Sequence, residues 1–126
     1  MMQRKSMKRR SSGSSANSRS KWAHLLGKYM VHHPDIAWQV VEGETIIVIP
    51  GPQPVMHVLN ETGTFLWKSA EQGDKTIEDL VAVLRADYDV GPIRARRDVC
   101  ELVQDLERVG AVLLRDEPGV VEPLWE

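Results

Sequence analysis

The chain has 126 residues, 42% of them hydrophobic, which suits one domain with a single packed core. Its net charge of −2 combines a basic head with an acidic remainder: residues 1–21 hold seven of the 16 cations and none of the 18 acids, leaving nine cations and a net of −9 elsewhere. A lone Cys100 excludes an intrachain disulfide or multi-cysteine zinc site, and no apolar run approaches the ~20 residues of a membrane span.

Residues 1–21 are Ser, Arg and Lys without apolar periodicity, and read as a disordered basic tail. No apolar segment follows them as a secretory signal requires, so the protein reads as cytoplasmic. Trp22 to Met30 places apolar residues at 22, 25, 26, 29 and 30. That helical spacing predicts a short N-terminal helical extension, residues 22–33, ended by His32, His33 and Pro34, either a helix that covers the body or a fold-back segment. Ile36 to Val41 is apolar-rich, and Glu42-Gly43 supplies a turn in which Gly43 takes a positive φ. Thr45 to Ile49 is nearly all β-branched. Pro50 to Pro54 forms a second, rigid turn, and Val55 to Leu59 a third strand. Short links between three strands make an antiparallel meander whose first and third strands are edges.

From Asn60 the period becomes helical. Asn60 is an N-cap with Glu61 in the first turn, Phe65, Leu66, Trp67 and Ala70 form the apolar side, and Gly73 is a terminator. Thr76 with Asp79 resembles a capping box, and Ile77, Leu80, Val81, Leu84 and Tyr88 form a one-sided stripe. Gly91-Pro92 opens a third helix with the stripe Ala95, Val99, Leu102, Val103, Leu106 and Val109, stopped by Gly110. Ala111 to Leu114 continues as a short strand or an extended end, and residues 116–126, with two prolines, read as a C-terminal tail. The fold class is α+β: a three-stranded antiparallel sheet followed by a three-helix bundle, winged-helix-like.

Catalytic signatures are missing from the sequence. It has no Gly-rich nucleotide cradle and no Gly-x-Ser-x-Gly elbow. Cys100 lies among apolar helix neighbours and reads as a small buried hydrophobe. His32 and His33, with His57, make a poor metal set, because adjacent histidines rarely point at one centre and no acid lies at ligand spacing. Glu61, Glu71, Asp74 and Glu78 are explained by caps and solvent. The expectation is a protein without catalytic residues, metal or cofactor.

The run His57-Val58-Leu59-Asn60-Glu61-Thr62-Gly63-Thr64-Phe65-Leu66-Trp67 closely resembles the PqqD family. Thr76 to Leu80, Tyr88-Asp89-Val90, the third helix and Pro34 to Trp38 extend the resemblance over residues 34–115. What it implies is a peptide-binding domain, a recognition element for ribosomally made, modified peptides such as the precursor in pyrroloquinoline quinone biosynthesis. Its implied partners are the leader of a precursor peptide and a modifying enzyme, often of the radical-SAM type. The leader would add as a strand to the sheet edge, against the third helix. The residues so implicated are Val55, Met56, His57, Val58 and Leu59 on the strand, with Arg94, Arg97, Asp98, Glu101 and Asp105 on the helix. Leu59, Asn60, Gly63 and Trp67 read as scaffold.

An exposed edge also allows a homodimer by strand pairing. The alternative function is a winged-helix nucleic-acid binder that uses the basic tail. Against it, Arg94, Arg96 and Arg97 are followed by Asp98, Glu101, Asp105 and Glu107, a mix that repels phosphates.

Overall fold

The computed structural model describes residues 22–119. The expected disordered head and residues 120–126 of the expected tail lie outside the described residues. After a helical segment over residues 22–26, the order is β1 (Tyr29–His32), β2 (Ala37–Val41), β3 (Glu44–Ile49), β4 (Val55–Leu59), α1 (Glu61–Ser69), α2 (Ile77–Asp87), α3 (Pro92–Val109) and β5 (Val112–Arg115). Strands β2, β3 and β4 form the expected antiparallel meander, with β2 and β4 at its margins.

Strand alternation divides this sheet into two faces. Trp38, Thr45, Ile47, Ile49, His57 and Leu59 face the helices, and Ile47, Thr45 and Leu59 are buried there. α1 seats on this face directly after β4. Its N-cap Asn60 accepts from the Gly63 N–H at 2.9 Å, as the sequence leads one to expect. Gly63 is needed for closeness: a Cβ there would stand 3.1 Å from Leu59 Cβ. One turn on, Thr45 Oγ1 donates to Thr64 Oγ1 at 2.7 Å, pairing two buried hydroxyls across the sheet–helix joint. Thr76 and Asp79 form the reciprocal capping box at the start of α2. Pro92 starts α3, and Gly110 ends it in the left-handed region, φ 89°.

The N-terminal segment differs from expectation. Its helix stops at residue 26, and Tyr29 to His32 is a strand instead. Strand β1 pairs antiparallel with β5, Tyr29 opposite Arg115 and His32 opposite Val112, in a second sheet. Its other side is fastened to the start of α2, where the Ile77 N–H donates to the Lys28 carbonyl at 2.9 Å. An apolar spacing that fits a helix is here split between a helical turn and a strand buried by a partner from the far end of the chain. Trp22, Leu25 and Met30 join the main core, and Val31 is fully buried. The segment expected as an extension is thus part of the core. The expected loose tail is also anchored at its start: Lys28 pairs with Asp116, and the Gly119 N–H donates to the Gly73 carbonyl.

His32 ties the two sheets to α1. Its ring stacks on Trp67 with centroids 3.7 Å apart and planes 11° off parallel, and Trp38 meets both rings edge-on at 5.6 and 5.7 Å. His32 Nε2 lies 3.1 Å from the Trp67 carbonyl. Since a carbonyl only accepts, Nε2 carries the proton of the neutral ring. Burial pushes the imidazole below its ordinary 6.5, opposed by the carbonyl bond and by Glu71.

Removing residues 1–33 therefore deletes four large buried side chains, each contributing about 1.5–3 kcal/mol. The sum is comparable with the whole stability of a domain, about 5–15 kcal/mol. A chain beginning at Pro34 is expected to give no cooperative melt by circular dichroism, whereas one beginning at Lys21 melts like the full chain. His32 gives a second expectation. Its folded-state pKa is depressed, so the unfolded chain takes up the proton first, and stability present above about pH 6.5 is lost as pH falls through the folded value. Urea melts from pH 7 to pH 5 should show a steeper loss for the wild type than for His32→Phe.

Candidate functional site

A marginal strand leaves half of its backbone groups unpaired, and the neighbouring turn decides which half. The β2–β3 hairpin turns on Glu42 (φ 52°) and Gly43 (φ 83°), the left-handed pair of a type I′ turn. A two-residue turn of this kind closes on a hydrogen-bonded pair, here Val41 with Glu44. Alternation along β3 then commits the backbone of Glu44, Ile46 and Val48 to β2, and that of Thr45, Ile47 and Ile49 to β4. The latter three face Leu59, His57 and Val55. What remains on the free margin of β4 is the backbone of Met56 and Val58.

The side chains of the strand divide in the same rhythm. Met56 (65% exposed) and Val58 (53% exposed) stand on the outer face, away from the helices. Val55, His57 and Leu59 point toward the helices. Leu59 is buried, so its side chain serves the core, as its scaffold role requires, and not the strand site. Val55 is 49% exposed although it lies on the helix side. The reason is that α1 begins at the opposite, Leu59 end of the strand. At the Val55 end the sheet is met instead by the C-terminus of α3: a Cβ on Gly110 would lie 3.8 Å from Cγ2 of Ile49, the ladder partner of Val55. The β4 margin and the end of α3 thus border a corner that is open at Val55.

Along α3, the buried stripe is Ala95, Val99, Cys100, Val103 and Leu106. Arg94, Asp98, Glu101 and Asp105 repeat every three or four residues and so share another side, with Arg97 beside them. Arg94 Nε is 3.5 Å and Arg97 Nε 3.9 Å from Asp98, and Arg108, which the sequence reading did not single out, pairs with Asp105. Exposed pairs of this kind contribute about 0–1 kcal/mol, so they exchange readily for the charges of a ligand. The structure groups the strand residues on β4 and the helix residues on α3; the approach to the sheet that it shows is at Gly110, past the end of α3 and beyond Asp105, the last of the helix set. Sequence reasoning missed that the backbone of Met56 and Val58, rather than of the whole strand, is free; the signal was present in the two-residue turn.

The groups weighed for catalysis or metal binding have local uses. His32 is stacked on Trp67, and His33 Nδ1 accepts from the Asp35 N–H at 3.0 Å. Cys100 is buried, and burial pushes its thiol up to about 11, far from a reactive thiolate. Among the described residues, no group of three or more His, Cys, Asp or Glu side chains is arranged to hold a metal ion, and no helix is long and apolar enough to cross a membrane.

The family model described as Coenzyme PQQ synthesis protein D (PqqD) matches residues 38–112. Among solved structures, TbiB1 in complex with the TbiA(beta) leader peptide shares the fold, with a TM-score of 0.60 and 18% identity over 65% of this chain and 93% of that one. No curated protein matches the chain.

The ladder phase is checked by amide hydrogen exchange on the free protein. The Met56 and Val58 amides are expected to exchange at least ten times faster than those of His57 and Leu59; equal protection along the strand would refute the assignment.

Proposed function

The chain belongs to the PqqD family, and we propose that it is a non-catalytic adaptor that binds the leader of a ribosomally made precursor peptide and presents it to a modifying enzyme. The leader adds as a fourth strand beside β4. One observation carries this reading: the margin of β4 keeps the backbone donors and acceptors of Met56 and Val58 unpaired between two exposed apolar side chains. Main-chain bonds to these two residues supply affinity with little dependence on sequence, and alternate side chains of the guest meet different surroundings. Those on the helix side enter the corner at Val55 and His57, next to α3. The charges of Arg94, Arg97, Asp98, Glu101 and Asp105 then select among guests. TbiB1, which shares the fold, was solved with a leader peptide, and this supports a peptide as the guest.

Titrating the chain with the leader of the precursor encoded beside it, followed by calorimetry and amide shifts, tests the reading. Binding should protect Met56 and Val58. Val58→Pro removes one outward N–H while leaving the β3 ladder bonded. Losing one rung, with its guest carbonyl left unpaired, is worth about 1–3 kcal/mol, so affinity should fall roughly 10- to 100-fold. Unchanged affinity would move the site to another surface.

A further inference from the structure

The outer face of the β2–β3–β4 sheet is not used by the core, and the strand site claims only its border. Seven large hydrophobic residues are exposed among the described residues, and six of them belong to this sheet: Val40, Val41, Val48, Val55, Met56 and Val58. Ladder phase places Val41, Val48, Met56 and Val58 on the outer face, together with Ala37 and Ile46. In an antiparallel sheet with one wet face, the wet side is ordinarily polar. Here Gln39 is the polar residue within the patch, and acids gather at one end, where Glu42 and Glu44 form the hairpin. The face is smaller than the largest apolar patch of an ordinary monomer, about 300–600 Å²; what sets it apart is that it runs without a break into the unpaired margin of β4.

We propose that this outer face docks the modifying enzyme, through an apolar surface that carries a cationic group opposite Glu42 and Glu44; this rests on the adaptor reading above. Three features favour that occupant over a second copy of the chain. The first is size. Three strands about 4.8 Å apart and five residues long at about 3.3 Å each outline roughly 240 Å². That is far below the roughly 800 Å² per partner of a standard stable interface. It suits a contact that forms and dissolves with each delivery. The second is charge: the sheet from residue 37 to residue 59 carries Glu42 and Glu44 and no Lys or Arg, so the same face of a second copy offers those acids no cation. The third is continuity. Met56 and Val58 give their side chains to this face and their free backbone to the margin, so a strand added beside β4 widens the same face by one row. An enzyme seated there touches the adaptor and alternate side chains of the guest together, and binds the loaded adaptor more tightly than the empty one.

Val41 and Val48 lie on the outer face but outside the strand site, so they separate the two surfaces. The test compares wild type with Val41→Lys/Val48→Lys, using the purified modifying enzyme encoded beside the chain as probe in biolayer interferometry. Runs are made with and without saturating leader, with leader affinity measured separately and oligomeric state by sedimentation. The expected result is a monomer whose enzyme affinity rises at least threefold with leader and falls at least tenfold in the variant, while leader affinity stays within twofold. Val41→Thr/Val48→Thr, which keeps β-branched side chains, should show the same direction if the lysine pair lowers the melting temperature. Glu44→Lys should weaken enzyme binding and reduce its salt dependence. Equal enzyme affinity in wild type and variants overturns the proposal, as does absence of enzyme binding. A wild-type dimer that the lysine pair dissolves assigns the face to a second copy instead. If leader fails to bind β4 while the enzyme still distinguishes the variants, the adaptor reading falls and the docking face stands.

Discussion

Trp67 is where the molecule is fastened. It sits fully buried on α1, its ring lies flat against His32 of β1, and its edge meets Trp38 of β2. Two sheets that share no hydrogen-bonded ladder are thereby held against one helix. The arrangement favours a neutral imidazole, because the partial burial of the ring against Trp67 disfavours its charged form. Everything at the candidate site inherits its position from this cluster. β2 fixes β3, β3 fixes β4, and α1 begins one residue after β4 ends.

This fastening separates two tasks. One face of the meander belongs to the interior and is closed by α1, with the Thr45–Thr64 hydroxyl pair sealing the joint. The other face and the β4 margin owe nothing to stability and are free to be apolar and unpaired. Six exposed hydrophobic residues on one small sheet are costly for solubility, and their presence is best explained by encounters with other chains. The proposed peptide guest would take the margin, and the proposed enzyme partner the outer face.

Much of this was legible in the sequence, because the signals are local. Gly43 marked the hairpin, Asn60 and the Thr76–Asp79 box marked helix starts, and Pro92 and Gly110 bracketed α3. The strand site was legible as a segment. Its internal division was not, since the free backbone of Met56 and Val58 follows from ladder phase rather than residue type. β1 was hidden for a different reason. Its apolar positions continue a helical rhythm from Trp22, and the partner that makes it a strand, β5, pairs Tyr29 with Arg115 and His32 with Val112 from the far end of the chain. No window along the chain holds both. Leu59 was read as scaffold and as site together because a strand's backbone and side chains serve different neighbours; the side chain went to the core.

The joint between β4 and α1 has one more consequence. Gly63 leaves space where a side chain would press on Leu59, so the helix start closes directly on the strand end. A guest strand that joined this border would surrender backbone freedom of its own in doing so. Peptides that favour extended backbone before contact would surrender least.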